Sequence, residues 1–189
     1  MTLLLIGLAI FLGVHSISIF AEDFRNRMAS RSEIGWMAAY GLVSLVGLVL
    51  IARGYAAARL EPTLLYVTPA WMRHVTAVLM LPVFILFFAT YFPGRIKSMT
   101  KHPQLVAVKL WAVSHLLVNG ALADVILFSA FLAWAVADRI SMKRRTPRAV
   151  PGLPPAGIND VIVTVVGLGA YVVFVLWLHR AWIGIAPFG

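Results

Sequence analysis

Apolar runs long enough to cross a lipid bilayer are what most limits the folding of this chain. Six such segments can be drawn, at 2–21, 34–56, 71–92, 103–118, 121–141 and 158–182. A spanning helix needs about 20 residues, within a range of roughly 17–25, and five of the six meet that length. Backbone N–H and C=O groups meet no water in hydrocarbon, so such runs must close their hydrogen bonds within helices. The expected fold is all-α, an integral membrane six-helix bundle forming one domain over residues 1–189. Composition agrees, with 61% apolar and 12% charged residues, where soluble domains are about a quarter charged. The first run lacks a basic leader and a small-residue cleavage site, so it reads as a retained helix. The chain has no cysteine, which excludes disulfides, thiolate catalysis and Cys-ligated zinc or iron–sulfur clusters.

Charge places the loops. The formal net charge is +9. In a membrane chain such positives gather at helix ends against anionic headgroups, so no nucleic-acid partner is expected. The loops after the first, third and fifth segments hold Arg25, Arg27, Arg31, Arg95, Lys97, Lys101, Arg139, Lys143, Arg144, Arg145 and Arg148, which is 11 of the 16 basic residues. Arg53, Arg59, Arg73 and Arg180 fall on the other side, and Lys109 can snorkel from the fourth segment. Basic loops stay cytoplasmic, which puts both termini outside. Trp36, Trp71, Tyr91 and Trp182 stand near segment ends, as an aromatic belt requires. Residues 142–157 are basic and rich in Pro and Gly, so they are expected to be irregular. Gly41, Ser44 and Gly47, and likewise Gly167 and Gly169, read as close-packing faces between helices or as patches for a partner.

Residues 101–139, KHPQLVAVKLWAVSHLLVNGALADVILFSAFLAWAVADR, organise the rest. Pro103 suits the first turn of a helix. Trp111, His115 and Asn119 follow at four-residue spacing and share a face. Asn119-Gly120 is expected to turn the chain, with either residue capping the next helix. The result is a helix-turn-helix hairpin over 103–141. Without that reversal the two most basic loops would fall on opposite sides, so the charge asymmetry supports it independently.

Ionisable side chains inside a bilayer are costly and face the protein interior or a cavity. His15 and His115 lie deep in the first and fourth segments. Each reads either as a neutral imidazole satisfied by a neighbour or as a metal ligand. His74 and His102 stand nearer segment ends, and His179, beside Arg180, reads as interfacial. Two buried histidines on different helices suit haem b, with the iron between two imidazoles. Zinc and copper want three or four ligands, and no HExxH, His-x-His or carboxylate cluster supplies them. His15 and His115 differ in depth by roughly 9 Å at about 1.5 Å per residue. His74 lies closer in depth to His115, so it remains open as the second ligand. Asp124, early in the fifth helix, either answers the helix dipole or accepts the N–H of a ligating histidine. Asp138 and Arg139 read as a surface pair. There is no phosphate loop, Ser-His-Asp order or dinucleotide fingerprint, and seven acids in all leave little for paired-carboxylate catalysis.

One motif within 101–139 runs His-Pro, a Trp four residues before a second His, Leu-Leu, Asn-Gly and a Phe-rich helix ending in Trp-Ala. It resembles the signature of the NnrU family, and the early His15-Ser16 matches as well. The resemblance covers the order of helices along the whole chain. It implies a bacterial inner-membrane protein linked to nitrogen-oxide metabolism. The same domain occurs in the plastid zeta-carotene isomerase, which holds haem b through two histidines and isomerises a cis double bond without net redox change. By motif, the matching histidines are His15 and His115, while His102 matches the shared His-Pro. The resemblance thus implies a bis-histidine haem b site at His15 and His115, and on our reading Trp111 and Asn119 flank the haem face. This chain departs from the plant enzyme in lacking cysteine and in being shorter. Three functions stay open. One is a redox or ligand-handling role toward nitrite or nitric oxide. The second is haem-dependent cis–trans isomerisation of a carotenoid-like polyene. The third is a haem-free assembly role beside a membrane reductase. The matching partners are the lipid bilayer, nitric oxide or an apolar polyene, and a reductase or a second copy of the chain.

Overall fold

The computed structural model describes residues 1–188. In chain order the helices are α1 (Thr2–Phe20), α2 (Glu22–Arg31), α3 (Glu33–Ala58), α4 (Met72–Ala89), α5 (Arg95–Thr100), α6 (Pro103–Leu116), α7 (Leu122–Ser141) and α8 (Ile158–Val173). α8 continues through a π-helical turn, Phe174–Leu178, into α9 (His179–Ile183). Among the described residues the only β-type pairing is an isolated bridge between Leu64 and Ala121.

Each expected apolar segment is helical. α1, α3, α4 and the continuous stretch Ile158–Ile183 are long and apolar enough to cross a bilayer. α6 has only 14 residues, and α7 carries Asp124, Asp138 and Arg139 among its 20. Two stretches expected as loops are helical. α2 places Glu22 and Asp23 in its first turn and Arg31 in its last, so each charge meets the favourable end of the dipole. α5 forms because the Asp160 carboxylate accepts the N–H groups of Arg95 (2.8 Å) and Ile96 (3.0 Å). Residues 146–156 are irregular and exposed, as their composition requires.

The chain divides into two compact units. The first holds Met1–Leu65 and Ala121–Thr146, and the second holds Tyr66–Gly120 and the residues from Pro147 onward. The two arms of the 103–141 stretch therefore belong to different units, α7 to the first and α6 to the second.

In the first unit α1 and α3 pack through glycines. A Cβ on Gly7 would lie 2.5 Å from the Ile51 nitrogen, and one on Gly47 would lie 2.8 Å from that of Phe11. A Cβ on Gly54 would collide with the backbone of Leu4. These pairings run in opposite senses, so the helices are antiparallel. Of the expected stripe Gly41, Ser44 and Gly47, only Gly47 serves as a close-approach glycine, and the space beside Gly41 is open. Gly41 stands about 120° around the helix from Gly47, whereas Gly54, seven residues on, returns to the same face. α7 joins α1 through Phe131 against Phe11, with ring centroids 5.6 Å apart. Its start is not capped by Asn119 or Gly120. Ala121 holds the cap position, and Asp124 on the third helical residue accepts its N–H at 3.1 Å. The other Asp124 oxygen accepts the Tyr55 hydroxyl at 2.5 Å, so this carboxylate is shared between cap and phenol. Asp138 is likewise no surface partner of Arg139. It is buried and paired with Arg145 at 2.5 Å, because neighbouring residues on a helix point about 100° apart while the chain beyond α7 folds Arg145 back.

In the second unit α4 packs against both α6 and α8. The Thr76 hydroxyl donates to the Ser114 carbonyl (3.0 Å) and that of Tyr171 to the Ala77 carbonyl (3.0 Å). Gly167 sits against Ile85, while Gly169 faces open space. Val83, Leu86 and Ala107 form a core that Trp111 and Leu110 cover. The end of α6 is closed by Tyr66, whose hydroxyl donates to the carbonyls of Leu116 and Asn119. Neither Asn119 nor Gly120 adopts positive φ. Gly120 is needed instead for close approach, since a Cβ there would strike the Tyr66 carbonyl.

Candidate functional site

His15 belongs to the first unit. Its ring stacks on Phe11 at 4.1 Å, lies 5.0 Å from the Tyr40 ring, and meets Trp134 edge-on at 5.8 Å. Nδ1 lies 2.7 Å from the Phe11 carbonyl, one helical turn back. A carbonyl oxygen only accepts, so Nδ1 carries the proton, and the neutral ring keeps its lone pair on Nε2.

His115 belongs to the second unit and repeats that arrangement. Nδ1 lies 2.8 Å from the Trp111 carbonyl, and the Trp111 and His115 rings are 5.6 Å apart. Asn119 follows at the end of α6, with its N–H donated to the His115 carbonyl at 2.8 Å. Trp111 thus stands beside His115 as its spacing implies, whereas Asn119 lies beyond the end of α6 and is joined to His115 through the backbone. His74 lies in the first turn of α4 and is exposed. The Thr76–Ser114 bond puts that turn level with the end of α6, which agrees with the depth expected for His74. His102 holds the cap position of α6 without a side-chain cap bond. It follows Lys101, at φ 61°, and donates its N–H to the Thr100 carbonyl at 2.7 Å, so the chain enters Pro103 through a tight γ-turn. His179 bonds through Nδ1 to the Ile185 carbonyl at 2.6 Å and is partly exposed near the end of its helix.

Among the described residues no group of three or more His, Cys, Asp or Glu side chains comes together. A haem asks for less: neutral imidazoles with unprotonated Nε2, an apolar wall and a donor for its carboxylates. His15 and His115 hold the required tautomer, each fixed by a backbone carbonyl. Phe11 and Phe131 supply aromatic wall on the first unit. Trp134 Nε1, on an indole that meets His15 edge-on, is buried and has no hydrogen-bond partner among the described residues. The residues around His15 therefore fit one face of the group. Asp124, offered by its position as acceptor for a ligating histidine, is engaged by Tyr55 and Ala121.

Sequence reasoning assigns no site role to Tyr40 or Trp134 and places Ser44 only in a packing stripe. An aromatic residue in an apolar helix looks the same whether it faces lipid or a histidine. The one available signal was the four-residue spacing of Trp134 and Asp138, which puts an aromatic and an acid on one face of α7. A shallow groove of about 620 Å³ runs along α1, lined by residues from Leu8 to Ala21. A single helix walls it, so it is not a tunnel.

Four helices long and apolar enough to span a bilayer, with histidines set within the helices, define a polytopic α-helical membrane protein. The chain belongs to the NnrU family: the family model described as NnrU protein matches residues 3–187. No curated protein and no solved structure matches it.

Proposed function

We propose that this chain is a haem b-binding bacterial inner-membrane protein of nitrogen-oxide metabolism, with His15 and His115 as the axial ligands. In this reading six helices cross the bilayer, loops 1, 3 and 5 are cytoplasmic, and both termini are periplasmic. The observation that carries the haem is the tautomer shared by the two histidines. Each donates Nδ1–H to the carbonyl four residues earlier, which fixes the ring and makes Nε2 a better ligand. The nitrogen-oxide role rests on the family resemblance. Bound haem would supply one-electron chemistry, with ligand chemistry at iron where one imidazole leaves. The chain's own residues hold and orient the rings, and Phe11, Phe131 and Trp134 keep water from His15.

The test is an absorption spectrum of the detergent-purified protein, oxidised and dithionite-reduced. Wild type, His15→Ala and His115→Ala are compared. A Soret band with sharp low-spin reduced bands, lost or shifted in both variants, is the expected result. Loss in His115→Ala alone would make His74 the second ligand. A protein still colourless after haem reconstitution would overturn the reading and favour the assembly role. Nitric oxide and carotenoids, titrated into the coloured protein, separate ligand handling from polyene isomerisation.

A further inference from the structure

Two buried hydrogen-bonding atoms, one on α7 beside His15 and one on α3 a turn from the Tyr40 that contacts it, have no partner among the described residues. Trp134 Nε1 is buried and unpartnered, and so is Ser44 Oγ. Ser44 lies one turn along α3 from Tyr40, and Tyr40 and Trp134 both contact the His15 ring. A buried polar group left unpaired carries a penalty comparable to a lost hydrogen bond, so its survival in a packed helix asks for a partner.

The chemistry of these atoms limits the partner. An indole N–H can only donate, and phenol and serine hydroxyls can donate too. The occupant must therefore offer acceptor oxygens. The nearest acid, Asp138, is already neutralised by Arg145, so an acceptor anion here would not face an uncompensated carboxylate. The surrounding wall is apolar, made of Phe11, Phe131 and buried Leu8, which suits a group that is mostly hydrocarbon with a few anionic oxygens. Trp134 lies seven residues before the end of α7, or about 10 Å at 1.5 Å per residue.

We propose that Trp134 and Tyr40, assisted by Ser44, hold a propionate carboxylate of the haem, as positioning residues distinct from the iron ligands. This rests on the haem reading above. The indole N–H would donate to a carboxylate oxygen and hold the group in one orientation.

The test uses the full chain in detergent, loaded either with haem b or with haem dimethyl ester, whose carboxylates are blocked. Haem release to excess apomyoglobin is timed for wild type, Trp134→Phe and Tyr40→Phe. With haem b, Trp134→Phe should release roughly tenfold faster or more, the expected loss for a bond to a charged group. Its low-spin bands should stay in place, since both imidazoles remain. With the dimethyl ester, wild type should release fast and the variant little faster. Equal effects on both cofactors, or none on either, would overturn the proposal while the haem reading stands. If Trp134→Phe fails to fold, wild type with the two cofactors and Tyr40→Phe still decide, and equal release throughout sinks it. If wild type takes up neither cofactor, the haem reading falls, and this proposal with it.

Discussion

Tyr55 donates its hydroxyl to Asp124 across 69 residues of sequence, and Arg145 folds back on Asp138 from beyond the end of α7. Removing one partner from such a pair leaves the other buried, and that sets the size of each effect. Tyr55→Phe should lower stability by about 1 kcal/mol, and Asp124→Ala by more, because it also strips the cap of α7. Arg145→Ala should cost about 3 kcal/mol, since Asp138 would keep an uncompensated buried charge. Adding Asp138→Ala should recover most of that. Thermal unfolding in detergent reads all four, and an Arg145→Ala midpoint equal to wild type would contradict the buried pair. Lys101 sits at φ 61°, where an L side chain is strained by about 1–2 kcal/mol. Lys101→Gly should therefore raise the unfolding midpoint, unlike most glycine substitutions. His15 and His115 were legible because an ionisable group stands out in an apolar run. Their tautomers were not, because a carbonyl four residues back is present in every helix and only the side-chain rotamer decides whether the ring uses it.

The same contrast runs through whole helices. The glycines of α3 could be read as a packing stripe, but a face is chosen by the neighbouring helix. Gly47 and Gly54 meet α1, whereas Gly41 meets nothing within contact distance. Gly54→Ala and Gly7→Ala should each destabilise by about 1–3 kcal/mol, because the added carbon meets backbone that must move as a unit. Gly41→Ala and Gly169→Ala should be neutral or stabilising by up to about 1 kcal/mol, from helix propensity alone. Midpoints for the four variants check this, and a destabilising Gly41→Ala would mean its face is covered in the membrane. Helix ends were less legible. α2 and α5 arise from charges and a carboxylate acting on backbone N–H groups. The end of α6 depends on Tyr66, 50 residues away from the Leu116 carbonyl it closes.

For the whole molecule, the absence of native cysteine makes sidedness directly measurable. Glu61→Cys should react with a membrane-impermeant maleimide from the periplasmic side of intact cells. Ser98→Cys and Thr146→Cys should react only after permeabilisation. The reverse pattern would overturn the orientation drawn from the basic loops. Composition, apolar run length and the placing of basic residues are properties of the chain itself. They were enough to determine an all-helical membrane protein, the positions of its long helices and two histidines set within them. Tertiary structure alone decided the rest. It set which glycines are close contacts, which partners satisfy Asp124 and Asp138, and how separated stretches join into two units. It also decided that an indole N–H beside His15 has no partner among the described residues. The physical reason is one of range. Helix formation in an apolar medium is dictated by each segment's own backbone. The pairing of a buried polar group depends on which helix is brought beside it, and segment periodicity does not encode that neighbour.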